Sequence, residues 1–192
     1  MQTDLPAIPP LKIKFWVFTF LSTLALLLMR YWSNWLSGST IVDFEMAKSV
    51  EKAESMMGSW GLAGKDNFLN SIYADFIFLI CYAGAFFYGS RFMGHISGHA
   101  ILKKAGYFFS FLALLAAICD VLENLGMLYT IKREAVPWVV HFTYDMALVK
   151  FSLLFIVLLF MVIGLLFWVI DKMAPEHKLK MKNPPVRGRG EE

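Results

Sequence analysis

Four apolar runs, each about as long as a bilayer is thick, constrain the fold of this 192-residue chain more than any other feature. They cover residues 15–35, 69–92, 107–131 and 151–170. A helix needs about 20 apolar residues to cross ~30 Å of hydrocarbon. Charged residues make up only 17% of the chain, against roughly 25% in soluble domains. The sequence therefore predicts an all-α membrane protein, a bundle of four transmembrane helices.

The distribution of basic residues predicts the orientation of the bundle. Lysines and arginines are more frequent before the first run, between the second and third, and after the fourth than in the other two loops. The positive-inside rule then places both termini in the cytoplasm, and we expect a multi-pass protein of the bacterial inner membrane. Residues 1–14 form a short irregular cytoplasmic segment in this prediction, 15–172 the transmembrane domain and 173–192 a disordered basic tail.

The loop between the first two runs contains a second kind of element, a predicted amphipathic helix over residues 41–57. Thr40 and Asp43 are spaced as a capping box that would begin it, and Gly58 with Gly61 would end it. Its apolar side would carry Val42, Met46, Val50, Ala53 and Met57. The orientation puts this helix on the extracytoplasmic side, where it would lie over the mouth of the bundle or on the membrane surface.

Two carboxylates and an amide interrupt the third apolar run. Asp120, Glu123 and Asn124 are spaced i, i+3 and i+4, which places them on one face of a helix. A charge at the centre of a spanning helix costs at least ~2.5–3.5 kcal/mol and usually faces protein or trapped water. This face is therefore a candidate ligand-binding site.

Ionisable residues of the other three runs are predicted at a similar depth. Counting ~1.5 Å per residue from the basic boundaries puts Arg30, Asp75 and Lys150 in the outer half with Asp120 and Glu123. His141 and Asp145 lie just above this layer, on one face of the fourth helix. Two interpretations stay open: the groups neutralise one another and fix helix register, or the excess carboxylate binds a proton, a cation or a polar ligand.

The polar residues do not match the known sequence patterns of metal or cofactor sites. His95 and His99 are four residues apart, but glycines surround them and no further ligand accompanies them, whereas zinc sites need three or four ligands. We expect no metal and no cofactor. The net charge of +3 is too small to argue for nucleic acid.

Several motifs resemble those of a widespread group of small bacterial membrane proteins with four transmembrane helices. They are Ile41-Val42-Asp43-Phe44-Glu45-Met46-Ala47, Glu51-Lys52-Ala53-Glu54 with Trp60, Tyr73-Ala74-Asp75-Phe76-Ile77-Phe78 with Tyr82, Asp120 to Asn124, and Lys150-Phe151. The resemblance covers roughly residues 41–160. It implies the fold and the choice of site residues, and it implies no activity.

Three functions remain as hypotheses. The favoured one is a protein that binds or passes a small cation, a proton or a polar ligand at the outer mouth, gated by the 41–57 helix. A path through only four spans implies a homodimer. The second is a membrane-embedded enzyme acting on a lipid-like substrate, in which Asp120 and Glu123 would be general acid and base, assisted by His141 or Asp145. The third is an accessory subunit of a membrane complex, which would leave the apolar side of the 41–57 helix exposed for its partner.

Overall fold

The fold is a bundle of helices, and the computed structural model describes it for residues 8–33 and 41–173. The helices are α1 (Ile8–Ser33), α2 (Ile41–Glu45), α3 (Val50–Ile96), α4 (Ala100–Lys132) and α5 (Pro137–Met173). All but α2 are long and apolar enough to cross a membrane. The four predicted runs are thereby confirmed as helices, apart from Asn34 and Trp35, which lie outside the described residues. Thr40 and the predicted tail from residue 174 also lie outside them.

The outer surface of the bundle is apolar, as lipid requires. Large hydrophobic side chains of α1, α4 and α5 are exposed, whereas small and polar side chains line the helix contacts. Close packing and interhelical hydrogen bonds drive association in lipid, because the tails are as apolar as leucine. The buried polar groups therefore help to determine how the helices pack together.

The first helix begins seven residues earlier than the apolar run. Pro9 and Pro10 lie in its first turn, although the sequence suggested an irregular segment up to residue 14. Proline is tolerated there because the first N–H groups of a helix have no partner within it. The prediction of an irregular segment is therefore wrong for residues 8–14.

The predicted amphipathic helix over residues 41–57 is two elements. The short α2 ends at Glu45, and Ser49 caps a new helix by accepting a hydrogen bond from the Lys52 N–H at 3.3 Å. The second element does not stop at Gly58. It bends at Gly61, which has φ 64°, and continues as the second spanning helix. A positive φ is readily adopted only by glycine, so Gly61 produces a bend where we expected an end.

One end of the bundle, which we call the α2 end, holds an aromatic core. Phe44 of α2 packs edge-on against Phe68, and Trp60 stacks on Phe68 with ring centroids 4.5 Å apart. Met127 of α4 and Val140 of α5 complete this core. Aromatic pairs of this kind contribute ~0.5–1.5 kcal/mol beyond area burial. They fix the five-residue α2 against three longer helices.

Small residues bring α4 and α5 together below this core. A Cβ on Gly126 would collide with the side chain of Thr143, and Ala147, one turn further along α5, is fully buried. Close backbone approach through small residues is typical of membrane helix pairs. It places the next turn of α5, which carries Lys150, directly against the polar face of α4.

Candidate functional site

Lys150 is the centre of a buried ionic cluster. Its ammonium nitrogen lies 2.8 Å from both carboxylate oxygens of Glu123 and 3.1 Å from Asp120 Oδ1. A third carboxylate, that of Glu45, has its Oε2 3.5 Å away. An ammonium group has three donor hydrogens, and three carboxylates surround it. The Lys150 side chain is only 6% exposed, so water does not screen these interactions.

The polar face predicted on α4 is the floor of this cluster. Asp120, Glu123 and Asn124 are 2%, 0% and 0% exposed. Their i, i+3, i+4 spacing points all three at the neighbouring helices. The prediction that they share a protein-facing surface is confirmed.

A second pair extends the cluster towards α3. Asn124 Nδ2 donates a hydrogen bond to Asp75 Oδ2 at 2.5 Å. Two turns along α3 from Asp75, the Tyr82 hydroxyl donates to Asp120 Oδ2 at 2.6 Å. The seven-residue spacing puts Asp75 and Tyr82 on the same face of α3. This face and the α4 face together bring Asp75, Asp120 and Glu123, the buried carboxyl groups of α3 and α4, into one network.

Glu45 belongs to the cluster although it lies outside the spanning helices. It is 5% exposed, because Phe44 holds α2 down over the ends of α3 and α5. Burial raises the pKa of the Glu45 carboxyl, and the attraction of Lys150 opposes this only in part. Sequence reasoning missed Glu45 as a site residue. The available signal was that Glu45 lies between two apolar residues, Phe44 and Met46.

The charges in the cluster do not balance. Four carboxyl groups (those of Glu45, Asp75, Asp120 and Glu123) and one ammonium are each less than 9% exposed. With every group ionised, the cluster would carry three negative charges beyond what Lys150 neutralises. Each uncompensated buried ion costs about several kcal/mol. Glu45 Oε2 and Glu123 Oε2 contact the Lys150 ammonium as ion-pair partners but have no hydrogen bond of suitable geometry among the described residues, so either oxygen could hold a proton.

Three predicted site residues lie away from the cluster. Arg30 is exposed on α1, and His141 and Asp145 are exposed on α5. Thr143, Ala147 and Lys150 form the buried face of that helix, whereas His141 and Asp145 project from another side. The depth estimate gave their height in the bundle but not their direction.

The cluster does not resemble a metal site. Among residues 8–33 and 41–173, no group of three or more His, Cys, Asp or Glu side chains could hold a metal ion. The Lys150 ammonium occupies the position between Asp120 and Glu123 that a cation would take. His95, one of the two histidines considered for zinc, contacts the Arg91 carbonyl oxygen one turn before it on α3, through its Nδ1 at 2.7 Å.

Comparison of the chain with protein-family models, curated proteins and solved structures finds no match. The resemblance to the group of small bacterial membrane proteins stays a prediction.

Proposed function

We propose that the buried cluster is a proton-binding site, and that it exchanges protons with the aqueous phase at the α2 end of the bundle. In this proposal the chain is a multi-pass protein of a bacterial inner membrane with both termini cytoplasmic, as its basic residues favour. The observation that supports it is the excess of four buried carboxyl groups over one buried ammonium.

Protons suit this excess better than a metal cation does. A proton on a carboxyl removes one negative charge and converts an acceptor into a donor, which would supply a hydrogen bond where Glu45 Oε2 and Glu123 Oε2 now have only the ion-pair contact with Lys150 among the described residues. A metal ion would have to displace the ammonium that lies 2.8 Å from Glu123. Because Lys150 is part of the chain and cannot leave the cluster, the site is better suited to take up protons than a metal cation.

Glu45 supports access from the α2 end. It is the one cluster residue carried by an element that does not span the membrane. Beside it, a cavity of about 10 Å³ is lined by Phe44, Thr130 and Thr143 among others, and such a space admits about one water molecule. A water molecule at this position would provide a step between solvent and the cluster, and Glu45 is the carboxyl group at which we expect protons to enter.

The structure gives less support to the two alternatives. An accessory subunit would expose the predicted apolar side of the 41–57 segment. Ala53 of that side is buried and Val42 is 46% exposed, while Met46, Val50 and Met57 are half-buried, so most of the side is at least partly covered. The enzyme hypothesis relied on His141 or Asp145 as an assisting group, and both side chains are exposed away from Asp120 and Glu123.

Infrared titration in lipid nanodiscs tests the proposal. A protonated carboxyl group gives a C=O stretching band separate from the carboxylate bands. We expect the wild-type acid band to weaken between pH 5 and pH 9, and most of this change to be absent in Glu123→Gln and reduced in Glu45→Gln. The matched control is Glu54→Gln, which removes an exposed carboxyl group of α3 and should leave the buried band unchanged.

Stability of the same variants separates proton binding from a purely structural network. If Glu123 is held only as the partner of Lys150, Glu123→Gln should cost about 3–5 kcal/mol. If surplus charge is retained for function at a stability cost, the variant should be at least as stable as wild type. A large loss together with an acid band that does not titrate would refute the proposal.

Passage of protons, rather than binding alone, is measured in proteoliposomes that contain a pH-sensitive dye. A potassium diffusion potential should drive a pH change with wild-type protein and not with Glu123→Gln. Four spans offer little room for a path, so we expect the active form to be a homodimer. If the infrared acid band titrates but no pH change occurs in the proteoliposomes, the protein binds protons without passing them.

A further inference from the structure

Tyr82, whose hydroxyl bonds to Asp120 of the ionic cluster, also lines a cleft between three helices. Helix α1 packs along α3, and between α1, α3 and α5 a cleft of about 250 Å³ remains. Its walls include Thr19 and Ser22 of α1, Tyr82 and Phe86 of α3, and Leu158 and Met161 of α5. The volume approaches the lower limit of ~300 Å³ for small-molecule sites, which suits one end of a ligand whose remainder lies in lipid.

The depth of the cleft restricts what could enter it. Thr19 lies near the middle of α1 (Ile8–Ser33), which is roughly 16 Å from the nearer helix end at ~1.5 Å per residue. A charged lipid headgroup at that depth would pay the cost of entering hydrocarbon. The ligand must therefore be membrane-dissolved and neutral, with at most one small polar group.

The hydroxyl groups of the cleft define that polar group. Tyr82 donates its hydroxyl hydrogen to Asp120, Thr19 donates to the Phe15 carbonyl oxygen at 2.8 Å, and Thr23 donates to the Thr19 carbonyl oxygen at 2.9 Å. Each hydroxyl has one hydrogen and two lone pairs. With these hydrogens committed, the three oxygen atoms are left as acceptors, while the Ser22 hydroxyl on the same wall can donate or accept. A ligand group that both donates and accepts, such as a hydroxyl, therefore suits the cleft.

We propose that this cleft binds the hydroxyl end of a long-chain, membrane-dissolved alcohol, which donates a hydrogen bond to Tyr82 and is flanked by Thr19. The aliphatic chain lies between α1 and α5 against Leu158 and Met161. Because hydrogen bonds in series polarise one another, the ligand strengthens the bond from Tyr82 to Asp120. That coupling rests on the proposed proton site, whereas binding in the cleft does not.

The donor requirement can be tested with two probes that differ in one group. Labelled 1-hexadecanol is bound to the purified protein in detergent, and unlabelled hexadecanol or its methyl ether competes. The ether keeps the chain and the oxygen but cannot donate. Because one hydrogen bond contributes ~0.5–1.5 kcal/mol, we expect the ether to compete about three- to tenfold less well. Equal competition by the two compounds on wild-type protein overturns the proposal without any variant.

Variants then locate the site. Tyr82→Phe keeps the ring and removes the acceptor, so alcohol and ether should compete equally. Thr19→Val keeps the shape of a half-buried side chain and should reduce the preference. Ala85→Leu adds bulk to the cleft wall and should abolish binding of both. The control Tyr107→Phe removes a hydroxyl from α4, away from the cleft, and should keep the wild-type ratio. Full preference in both Tyr82→Phe and Thr19→Val would overturn the proposal.

The infrared titration keeps this test separate from the proposed function. If the acid band does not titrate but the alcohol is preferred over the ether, the cleft site stands and the proton site fails. If the band titrates and the two probes compete equally, the proton site stands and the cleft site fails.

Discussion

Two cations of the spanning helices are held in different ways. Lys150 lies among the carboxylates of Glu45, Asp120 and Glu123. Towards the other end of the bundle, the Arg91 guanidinium lies over Phe87 at 4.1 Å and near Tyr107 at 5.0 Å, and its Nε donates to Ser110 Oγ at 3.3 Å. Aromatic faces and a hydroxyl thus hold a cation in this bundle. Four carboxyl groups are more than the packing of one lysine requires, and in the proposed function the surplus binds protons.

The largest effect is expected from Lys150→Met. Removing one partner of a buried ion pair costs about 3–5 kcal/mol, and here the ammonium neutralises several carboxylates. The cost should be larger at pH 8 than at pH 5, because protons are more available at pH 5 to replace the lost charge. Equilibrium unfolding in mixed micelles at the two pH values measures this. An equal cost at both would mean that the cluster does not take up protons.

Arg91→Met is the matched change at the other cation. Its ring contacts contribute roughly 0.5–2 kcal/mol, and its side chain is only half-buried. We expect a loss in that range that changes less between pH 5 and pH 8 than the loss for Lys150→Met, because no carboxylate is among the contacts of the guanidinium described above. A pH-dependent loss as large as that of Lys150→Met would remove the contrast between the two cations.

Glu45→Gln tests how the surplus charge affects stability. Burial raises the pKa of Glu45 above its usual 4.5, so the folded protein binds more protons than the unfolded chain once the pH exceeds that value. Stability must then fall as the pH rises from 4.5 towards the folded-state pKa. The variant lacks this fall, so relative to wild type it should gain stability over that range, as measured by unfolding at successive pH values.

Glu51→Gln provides a control of opposite sign in the same segment. Hydrogen bonds from its own backbone N–H and from the Ser49 side chain lower the pKa of Glu51. A lowered pKa contributes stability above 4.5 that is lost as the pH falls. Glu51→Gln should therefore be slightly less stable than wild type above pH 4.5, and this difference should disappear as the pH falls. A gain in stability like that of Glu45→Gln would contradict the assignment.

The fold and part of this site followed from local patterns. Apolar runs set the spanning helices, and helical spacing alone placed Asp120, Glu123 and Asn124 on one protein-facing surface. Both signals come from residues close in sequence, whose relation depends only on helix geometry. The same reasoning could not orient His141 or Asp145, since depth along a helix does not determine its rotation.

The missed residues depend on contacts between distant parts of the chain. In a continuous helix, Val42 and Met46 would face inward, but Val42 is 46% exposed and Phe44 is buried. Docking of Phe44 onto Trp60 and Phe68 decides this, and it turns Glu45 towards Lys150. Tyr82 was visible only as part of a motif, because its role depends on Asp120, which lies 38 residues away.

The smallest effect is expected from Ser110→Ala, and it completes the contrast between the two cations. Ser110 accepts from Arg91 at 3.3 Å and donates to the Tyr107 carbonyl oxygen, and a typical hydrogen bond contributes ~0.5–1.5 kcal/mol. We expect a loss near the lower value, because the rings still hold the guanidinium. A double-mutant cycle with Arg91→Met should give a coupling below about 1 kcal/mol, whereas the cycle of Lys150→Met with Glu123→Gln should give one of roughly 1–3 kcal/mol. A large Arg91–Ser110 coupling would mean that both cations depend on specific polar partners, and surplus carboxylate would then no longer distinguish the Lys150 cluster.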